Sequence, residues 1–276
     1  MNLLLPENLS DACELLATHE GAIPIAGGTD LFVHWPQRPD DSGQTYLDLS
    51  GIPELRAHGW SEGELRLGAL TTYWDIIQDS QVQAALPLLV RAARQIGAIQ
   101  IQTRGTWAGN VVNASPAADG VAVLMAYDAV VILRSREGTE ECPLSDFYLG
   151  YKSMRRKSDQ LLTGIRIPVR SYDLQLFEKV GSRTAQAISK VGVAVTRRGD
   201  DWRIVANSVA PTVCRCPALE SFLASGRSVG EPADLAEALR SDIAPIDDLR
   251  STARYRETVL SRLLYFGLKD ACIQFS

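Results

Sequence analysis

One run of small and polar residues, 103–119, constrains the fold of this chain more than any other stretch. Gly105 and Gly109 in this run can adopt backbone conformations that are closed to other residues, and they let a ligand approach the main chain. Asp119 at the end of the run can cap a helix that is predicted over 120–127. A loop that leads into a helix presents free amide groups, and such groups favour an anion. An ordinary polar connection has the same composition, because short glycine patterns are weak evidence by themselves.

A second glycine turn follows a short apolar segment near the start of the chain. Gly27 and Gly28 expose backbone amides there, and Thr29 adds a hydroxyl group beside Asp30. The turn lacks the Gly-Lys-Ser/Thr of a P-loop and the three spaced glycines of the Rossmann fingerprint. Two separate turns of this kind suggest a diphosphate that is held from two sides. Two unrelated turns are the alternative.

The overall composition is close to that of an average globular protein and excludes some classes of function. The 276 residues suit one large or two modest domains, and 46% of them are hydrophobic while 22% are charged. The formal net charge of −5 is unlike the basic footprint of a nucleic-acid binder. No apolar run is long enough to span a bilayer, and the first residues predict no secretory signal. We therefore expect neither a nucleic-acid partner nor a membrane span.

Cysteine and histidine are too scattered to predict a metal site. The five cysteines, an odd number, favour a reducing compartment over a disulfide framework, so we expect a cytoplasmic protein. Cys214 and Cys216 are the only close pair, whereas zinc and iron–sulfur sites normally need four ligands. His19, His34 and His58 form no ligand-like cluster. We predict no metal ion in this chain.

Apolar periodicity predicts mixed helices and strands up to residue 168 and three consecutive strands after it. Helices are predicted over 9–19, 72–77, 87–98, 120–127, 144–149, 217–224, 235–240 and 252–268, and strands over 23–26, 45–49, 64–70, 129–133, 161–167, 174–180, 187–196 and 202–209. The three consecutive strands favour an antiparallel sheet. We expect an α+β chain with a domain boundary near 169–172.

A basic run consists of Arg155, Arg156 and Lys157. Such a run can be a docking patch for a partner subunit or an acidic carrier. A solvated turn is the favoured interpretation, because charged residues usually lie on the protein surface. The docking patch is kept as the alternative.

The two glycine stretches carry a family resemblance. Residues 26–30 are Ala-Gly-Gly-Thr-Asp, and residues 106–110 are Thr-Trp-Ala-Gly-Asn, followed by Ala-Ser-Pro at 114–116 and by Asp119. In this order and separation they resemble the motifs of the FAD-binding subunit of the molybdenum hydroxylases, the medium subunit of the xanthine dehydrogenase and carbon monoxide dehydrogenase family. The likeness covers nearly the full length, with further similar segments at 146–151, 177–179, 183–191, 210–215 and 247–255. Trp107 and Ala108 depart from the family's Ile and Gly.

The resemblance implies a fold of two parts. The first, 1–170, is a two-lobed FAD-binding domain of the vanillyl-alcohol-oxidase or PCMH type, with its two α/β lobes split near residue 55. The second, 171–276, is a C-terminal domain with a three-stranded antiparallel sheet and helices. No cysteine-rich insert for an additional iron–sulfur cluster is present in the sequence. The fold class is therefore expected to be α+β.

The resemblance also implies FAD as the cofactor. The candidate cofactor-binding residues are Ala26, Gly27, Gly28, Thr29, Asp30, Leu31, Thr103, Gly105, Thr106, Ala108, Gly109, Asn110, Asn113, Ser115, Asp119, Leu162, Lys179, Arg183 and Ile188. Amides of 26–30 and 105–110 are expected to hold the pyrophosphate, because dense N–H donors neutralise phosphate without burying unpaired cations. Ile188 is the candidate for packing on the flavin ring, and Lys179 or Arg183 for a charge beside it. Plain core packing of Ile188 and surface positions for the two cations are the alternatives.

The function implied is electron transfer by one subunit of a larger complex. Its expected partners are a large molybdopterin-binding subunit and a small subunit with [2Fe–2S] clusters. Its expected electron acceptor is NAD⁺, a quinone, oxygen or a carrier protein. No side chain need act as a catalytic residue, because the cofactor carries the chemistry. The alternatives are a stand-alone FAD oxidoreductase and a flavin-free assembly module with the same fold.

Overall fold

The computed structural model describes residues 2–33, 43–184, 186–271 and 275. His34, one of the three histidines considered above, lies outside this described part. Within it the chain forms three sheets, one small hairpin and ten α-helices. None of the helices described combines the length and the apolar character that a bilayer crossing requires.

The first sheet is small, parallel and close to the first glycine turn. Its elements are β1 (Asn2–Leu4), α1 (Leu9–Thr18), β2 (Ile23–Ile25) and β3 (Thr45–Asp48). The central strand β3 pairs with β1 on one side and with β2 on the other, both in parallel. Helix α1 is capped by Asn8, whose Oδ1 accepts from the Asp11 amide at 2.9 Å. Because β2 ends at Ile25, the glycine turn leaves from the carboxyl edge of this sheet.

The second sheet is antiparallel and carries a group of helices between its strands. Its elements are β4 (His58–Ser61), β5 (Glu64–Gly68), α2 (Tyr73–Gln78), α3 (Ser80–Ala85), α4 (Pro87–Gln95), α5 (Ile99–Gln102), α6 (Trp107–Asn113), α7 (Asp119–Ala126), β6 (Val130–Ser135), β7 (Gly138–Pro143), β8 (Tyr148–Gly150), β9 (Ser153–Met154) and β10 (Leu161–Pro168). The strand order is β4-β5-β10-β6-β7, and β8 and β9 form a separate hairpin. Helix α7 is buried along its whole length.

The third sheet lies in the C-terminal part of the chain. Its elements are β11 (Leu174–Val180), β12 (Val191–Arg198), β13 (Asp201–Asn207), β14 (Cys214–Arg215), α8 (Pro217–Ala224), α9 (Pro232–Leu239) and α10 (Ala253–Leu268). The strands are antiparallel in the order β11-β12-β13-β14, so a short fourth strand joins the three that the sequence predicts. The mixed helices and sheets agree with the α+β class expected from the sequence.

Strand β12 joins the two hydrophobic cores of the molecule. Val193 and Val195 belong to the core formed with the C-terminal helices, whereas Ala194 belongs to the larger core of the first 170 residues. This alternation follows from the period of two in a strand. Thr196 also points to the larger core, and its Oγ1 donates to the Ala126 carbonyl at 2.8 Å. Both faces of β12 are therefore buried.

Several predicted elements have different limits in the structure. Residues 103–119, expected as a loop, contain helix α6, because Thr106 accepts from the Gly109 amide at 2.9 Å and so starts a helix despite the low helix propensity of glycine. Asp119 does not cap α7; the cap position is Ala118, and the Asp119 side chain is engaged elsewhere. The helix predicted over 144–149 is a single 3-10 turn, Leu144–Asp146, followed by β8.

Replacing Trp107 by alanine is expected to destabilise the fold strongly. Trp107 is fully buried, and its ring meets that of Tyr73 edge-on with 5.2 Å between centroids. Removal of a buried tryptophan side chain leaves a cavity and lowers the free energy of unfolding by about 3–5 kcal/mol. Urea unfolding of the Trp107→Ala variant measures this loss.

Trp74→Ala is the matched control, because the Trp74 side chain is 36% exposed. We expect the control to lose about 1 kcal/mol or less. Equal losses in the two variants would contradict the assignment of Trp107 to the core.

Candidate functional site

A cleft of about 600 Å³ lies where the first glycine turn, helix α6, the start of β10 and Ile188 meet. The following residues predicted from the sequence line it: Ala26, Gly27, Gly28, Thr29, Asp30, Leu31, Gly105, Thr106, Ala108, Gly109, Asn110, Asn113, Leu162 and Ile188. The two glycine turns, which are about 80 positions apart in the sequence, therefore face one cavity. A cavity of this size is within the range of small-molecule and cofactor sites.

The two glycine turns touch each other through their backbones. A Cβ atom added to Gly27 would lie 1.8 Å from the Arg104 carbonyl oxygen. A Cβ atom added to Gly105 would lie 3.0 Å from the Tyr73 ring and 3.3 Å from the Thr29 Oγ1. Only glycine permits this approach, so the contact explains why both turns need that residue.

The turns present backbone donors that the protein itself does not use. Among the described residues, no acceptor is found for the amides of Gly27, Gly28, Thr29 and Asp30. The amides of Thr106 and Ala108, at the start of α6, likewise have no acceptor in the described part of the chain. Converging amide dipoles of this kind form an anion-binding concavity. The geometry therefore suits a phosphate-containing ligand.

A side-chain bridge closes one side of the cleft. The Asn113 Nδ2 donates to the Asp30 Oδ1 at 3.1 Å, which ties the end of α6 to the first glycine turn. The Lys152 Nζ donates to the Asn113 carbonyl at 2.6 Å and to its Oδ1 at 2.7 Å. Because Lys152 holds the Asn113 oxygen, the carboxamide nitrogen is directed at Asp30. Lys152 lies between β8 and β9, so the hairpin supports the cleft.

Asp119 and Lys179 form a buried ion pair and do not line the cleft. The Lys179 Nζ lies 2.6 Å from the Asp119 Oδ2, and the side chains are only 7% and 6% exposed. The Asp119 Oδ1 accepts from the Ser189 Oγ at 2.5 Å and from the Asn207 Nδ2 at 2.9 Å, while Lys179 also donates to the Gln95 carbonyl at 3.1 Å. Burial of two charges away from water is costly, and the ion pair together with its hydrogen bonds offsets that cost.

Three other predicted residues also lie outside the lining of the cleft. The Thr103 Oγ1 donates to the Ile99 carbonyl at 2.9 Å and finishes a helical turn. The Ser115 Oγ accepts from the Ala117 amide at 3.3 Å. The Arg183 Nη2 donates to the Gln186 carbonyl at 2.5 Å. In each case the side chain forms a hydrogen bond with a nearby backbone group, whereas the sequence pattern had suggested a hydrogen bond with a ligand.

The cleft also contains residues that the sequence pattern did not identify. They are Ile23, Pro24, Leu49, Ala69, Tyr73, Ile96, Ile101, Val112, Arg156, Gln160 and Leu161. Most are apolar, and nothing in a sequence separates an apolar residue in a cleft from one in a core. Tyr73 stays protonated, because burial and the nearby Asp119 charge raise the pKa of its phenol far above the usual value. Arg156 is the exception, because the sequence analysis had already singled out the basic run that contains it.

The fold and the cleft define a class of nucleotide-binding flavoprotein, and comparisons with known proteins agree. Residues 1–170 match the family described as the FAD binding domain in molybdopterin dehydrogenase, and residues 177–271 match the CO dehydrogenase flavoprotein C-terminal domain. The chain belongs to this family of FAD-binding oxidoreductase subunits. FAD is its cofactor, as the sequence motifs predicted.

Individual relatives resemble the chain over nearly its whole length. The xanthine dehydrogenase FAD-binding subunit of Escherichia coli O157:H7 is 30% identical, over 90% of this chain and 88% of the relative. The caffeine dehydrogenase subunit beta of a Pseudomonas species is 32% identical, over 93% of this chain and 89% of the relative. A chain in the structure of carbon monoxide dehydrogenase from Hydrogenophaga pseudoflava superposes with a TM-score of 0.87 at 26% identity, covering 99% of this chain and 98% of that one.

The residues that line the cleft fit FAD. The unused amides suit a diphosphate, and Gly27 and Gly105 let the two turns that carry these amides pack closely together. Asn110 adds an Oδ1 that is buried without a hydrogen-bond partner in the described residues, so a ligand hydroxyl can satisfy it. Ala108 lies in α6 with a negative φ, so its methyl group causes no backbone strain.

Replacing Gly27 by alanine is expected to separate the two turns and weaken FAD binding. The new methyl group would overlap the Arg104 carbonyl oxygen at 1.8 Å, and backbone atoms cannot rotate away. Overpacking of this kind costs about 1–3 kcal/mol, and about 1.4 kcal/mol corresponds to a tenfold change in affinity. Titration of the apoprotein with FAD, followed by quenching of flavin fluorescence, measures the dissociation constant.

Gly59→Ala is the control for Gly27→Ala. A Cβ atom on Gly59 would meet no heavy atom within 4 Å. FAD affinity should be unchanged in this control. An unchanged affinity in Gly27→Ala as well would show that the contact between the turns does not shape the cofactor site.

Breaking the buried ion pair is expected to destabilise the protein more than breaking an exposed one. Lys179→Met leaves the Asp119 carboxylate buried without its cation, which costs about 3–5 kcal/mol of unfolding free energy. The double variant Asp119→Asn, Lys179→Met removes both charges and should recover part of this loss. A double-mutant cycle by urea unfolding measures the coupling between the two side chains.

Arg136→Met is the matched control for Lys179→Met. Arg136 lies 3.8 Å from Glu14, with 53% and 56% of the two side chains exposed. Loss of this surface pair should cost about 1 kcal/mol or less. A loss of the same small size in Lys179→Met would contradict the structural role of the buried pair.

Proposed function

We propose that this chain is the electron-transfer subunit of a molybdenum hydroxylase complex. It would receive electrons from [2Fe–2S] clusters on a small partner subunit and deliver them to NAD⁺, a quinone, oxygen or a carrier protein. A large molybdopterin-binding subunit would oxidise the substrate. The observation that carries this proposal is the pair of glycine turns with unused amides around one cleft. The relatives named above are subunits of dehydrogenases, which supports a multi-subunit assembly.

We further propose that the chain divides into an FAD-binding domain, 1–170, with two lobes that separate near residue 55, and a C-terminal domain, 171–276. The two family matches, 1–170 and 177–271, support the main division. The separate first and second sheets, β1–β3 and β4–β10, support the lobes. The four described cysteines are free thiols, which supports a reducing, cytoplasmic compartment.

We infer that the pyrophosphate lies on the amides of 26–30 and of the α6 start. These amides have no acceptor among the described residues, and their dipoles suit an anion without an unpaired cation. The carboxamides of Asn110 and Asn113 lie on the same helix, one turn apart, and both line the cleft. They are our candidates for hydrogen bonds to the ribityl chain and the phosphates.

We infer that the flavin end of the cleft lies beside Ile188. Three contacts bring Ile188, Ile96 and Asn110 around the same buried ion pair. Ser189, next to Ile188, donates to Asp119. Gln95, next to Ile96, accepts from Lys179. The Asn110 Oδ1 lies 2.6 Å from where a Cβ atom on Gly120, next to Asp119, would be. Ile188 is 58% exposed and so offers an apolar surface to a ring.

Bound FAD supplies the electron-carrying chemistry, and the protein supplies its binding, orientation and surroundings. The Lys179 charge, proposed from the sequence to lie by the flavin, is matched by Asp119 at 2.6 Å. Lys179 and Asp119 are therefore proposed as positioning residues, which hold the segment carrying Ile188 against α7. The apolar contacts of Ile96, Ile101 and Ile188 would exclude water from one face of the ring.

A stand-alone FAD oxidoreductase is the second candidate function. The match of residues 177–271 to the flavoprotein C-terminal domain favours the subunit over this alternative. The third possibility, a flavin-free assembly module, depended on Trp107 and Ala108. Trp107 is buried and does not line the cleft, and Ala108 causes no strain, so neither residue opposes binding of FAD.

We expect the purified chain to have a flavin absorption spectrum and to release FAD on denaturation. Co-expression with the neighbouring genes of its operon or locus should yield a stoichiometric complex that contains two further chains. Size-exclusion chromatography with mass determination of each chain, together with iron analysis, measures the composition. Substrate should then reduce the flavin anaerobically in the complex but not in the isolated chain.

Two results would contradict the proposed function. Reduction of the isolated chain by an organic substrate would favour the stand-alone oxidoreductase. A colourless chain that also fails to bind added FAD would favour the assembly module. The Gly27→Ala variant serves as a control, because it should lower flavin content while the chain still co-purifies with its partners.

A further inference from the structure

The basic run divides between the surface and the cleft. Arg155 is exposed, and its Nε donates to the Asp146 carbonyl at 2.6 Å. Lys157 is exposed as well. Arg156 between them is partly buried and lines the cleft together with Gln160 and Leu162. The solvated-turn interpretation therefore fits two members of the run and fails for the third.

The Arg156 guanidinium has hydrogen-bond partners but no counter-ion. Its Nη1 donates to the carbonyl groups of Gln160 at 2.7 Å and Lys157 at 3.2 Å. No carboxylate of the described residues lies within ion-pair distance of it. Burial lowers the pKa of Arg156, and Asp159 offsets only part of that shift. A partly buried cation without an anion is costly unless a ligand supplies the charge.

One nitrogen of this guanidinium is available to a ligand. The Nε is buried and has no partner, and the Nη1 is held by two carbonyl groups. The Nη2 has no hydrogen-bond acceptor among the described residues, and it remains accessible to solvent. Gln160 fixes the turn that presents it, because its Oε1 accepts from the Lys157 amide at 2.9 Å and its Nε2 donates to Glu140 at 3.0 Å. The cation is therefore held in place before any ligand binds.

Arg156 reaches the cleft from a different part of the fold than the segments that contact the buried ion pair. It precedes β10, where Leu161 and Leu162 line the cleft, and the turn is anchored on β7 through Glu140. Ile188 lines the cleft beside the buried ion pair, because its neighbour Ser189 donates to Asp119. If the flavin lies by Ile188 and the pyrophosphate on the glycine turns, the adenosine half extends toward Arg156.

We propose that Arg156 binds the adenosine diphosphate half of FAD, with its Nη2 directed at the nucleotide and its charge offsetting that of the diphosphate. This inference rests on the proposed position of FAD in the cleft. A planar guanidinium can both donate to a nucleotide and stack on an aromatic ring. Leu161 and Leu162 supply the apolar surface beside it. Arg156 is thus a specificity residue for the dinucleotide over the mononucleotide.

The test compares three probes, FAD, ADP and FMN, on the apoprotein of the full chain. Arg156→Gln should bind FAD and ADP about ten- to hundredfold more weakly, which is the usual effect of losing a hydrogen bond to a charged group. Its FMN affinity should equal that of the wild type. The salt dependence of ADP binding should also be smaller in the variant. Isothermal titration calorimetry gives the affinities without any measurement of turnover.

Arg155→Gln is the matched control and should bind all three probes like the wild type. Arg156→Lys keeps the positive charge but lacks the planar guanidinium group. It should therefore bind ADP more tightly than Arg156→Gln. Thermal unfolding of the apoproteins checks that each variant folds. Unchanged FAD and ADP affinities in Arg156→Gln, equal losses for FMN and ADP, or equal ADP affinities in the Lys and Gln variants would overturn the inference. Failure of the wild type to bind FAD would instead overturn the proposed function.

Discussion

The buried pair of Asp119 and Lys179 is the interaction on which the cleft most depends. It joins the first residue of α7 to β11, and Asp119 also receives hydrogen bonds from Ser189 and from Asn207 on β13. A lone charge at this depth would be far more costly than the pair. The first 170 residues and the C-terminal sheet are therefore held in one relative position at this point. The wall of the cleft that carries Ile188 follows from that position.

The contact between the two glycine turns sets the other wall. Gly27 lies against the Arg104 carbonyl so closely that no side chain fits between them. The amides of 27–30, Thr106 and Ala108 on these turns have no acceptor among the described residues. Asn113 then connects the turn to α6 through Asp30. Binding of an anion at the turns thus depends first on backbone amides, and the proposed contribution of the Arg156 charge adds to it.

The parts of this arrangement that could be predicted from sequence are those with local causes. Apolar periodicity indicated mixed helices and strands, and the resemblance of the two glycine motifs to a known family correctly implied an FAD-binding subunit of α+β class. The position of Asp119 was not predictable, because its partners Lys179 and Asn207 lie 60 and 88 positions away. Arg156 was not separable from its exposed neighbour Arg155, since both belong to the same basic run. Long-range contacts decide these cases, and a single sequence carries no record of them.

The charged side chains that line the cleft give it no net positive charge with which to hold an anionic cofactor. Asp30 and Arg156 are the charged residues in the described lining, and their formal charges cancel. Lys179 adds no net charge near the cleft, because its ammonium group is paired with the Asp119 carboxylate. The amide dipoles of the turns and of α6 must therefore supply most of the favourable potential. A flavin bound beside Ile188, as proposed, would therefore be tuned mainly by hydrogen bonds and by its exposure to water.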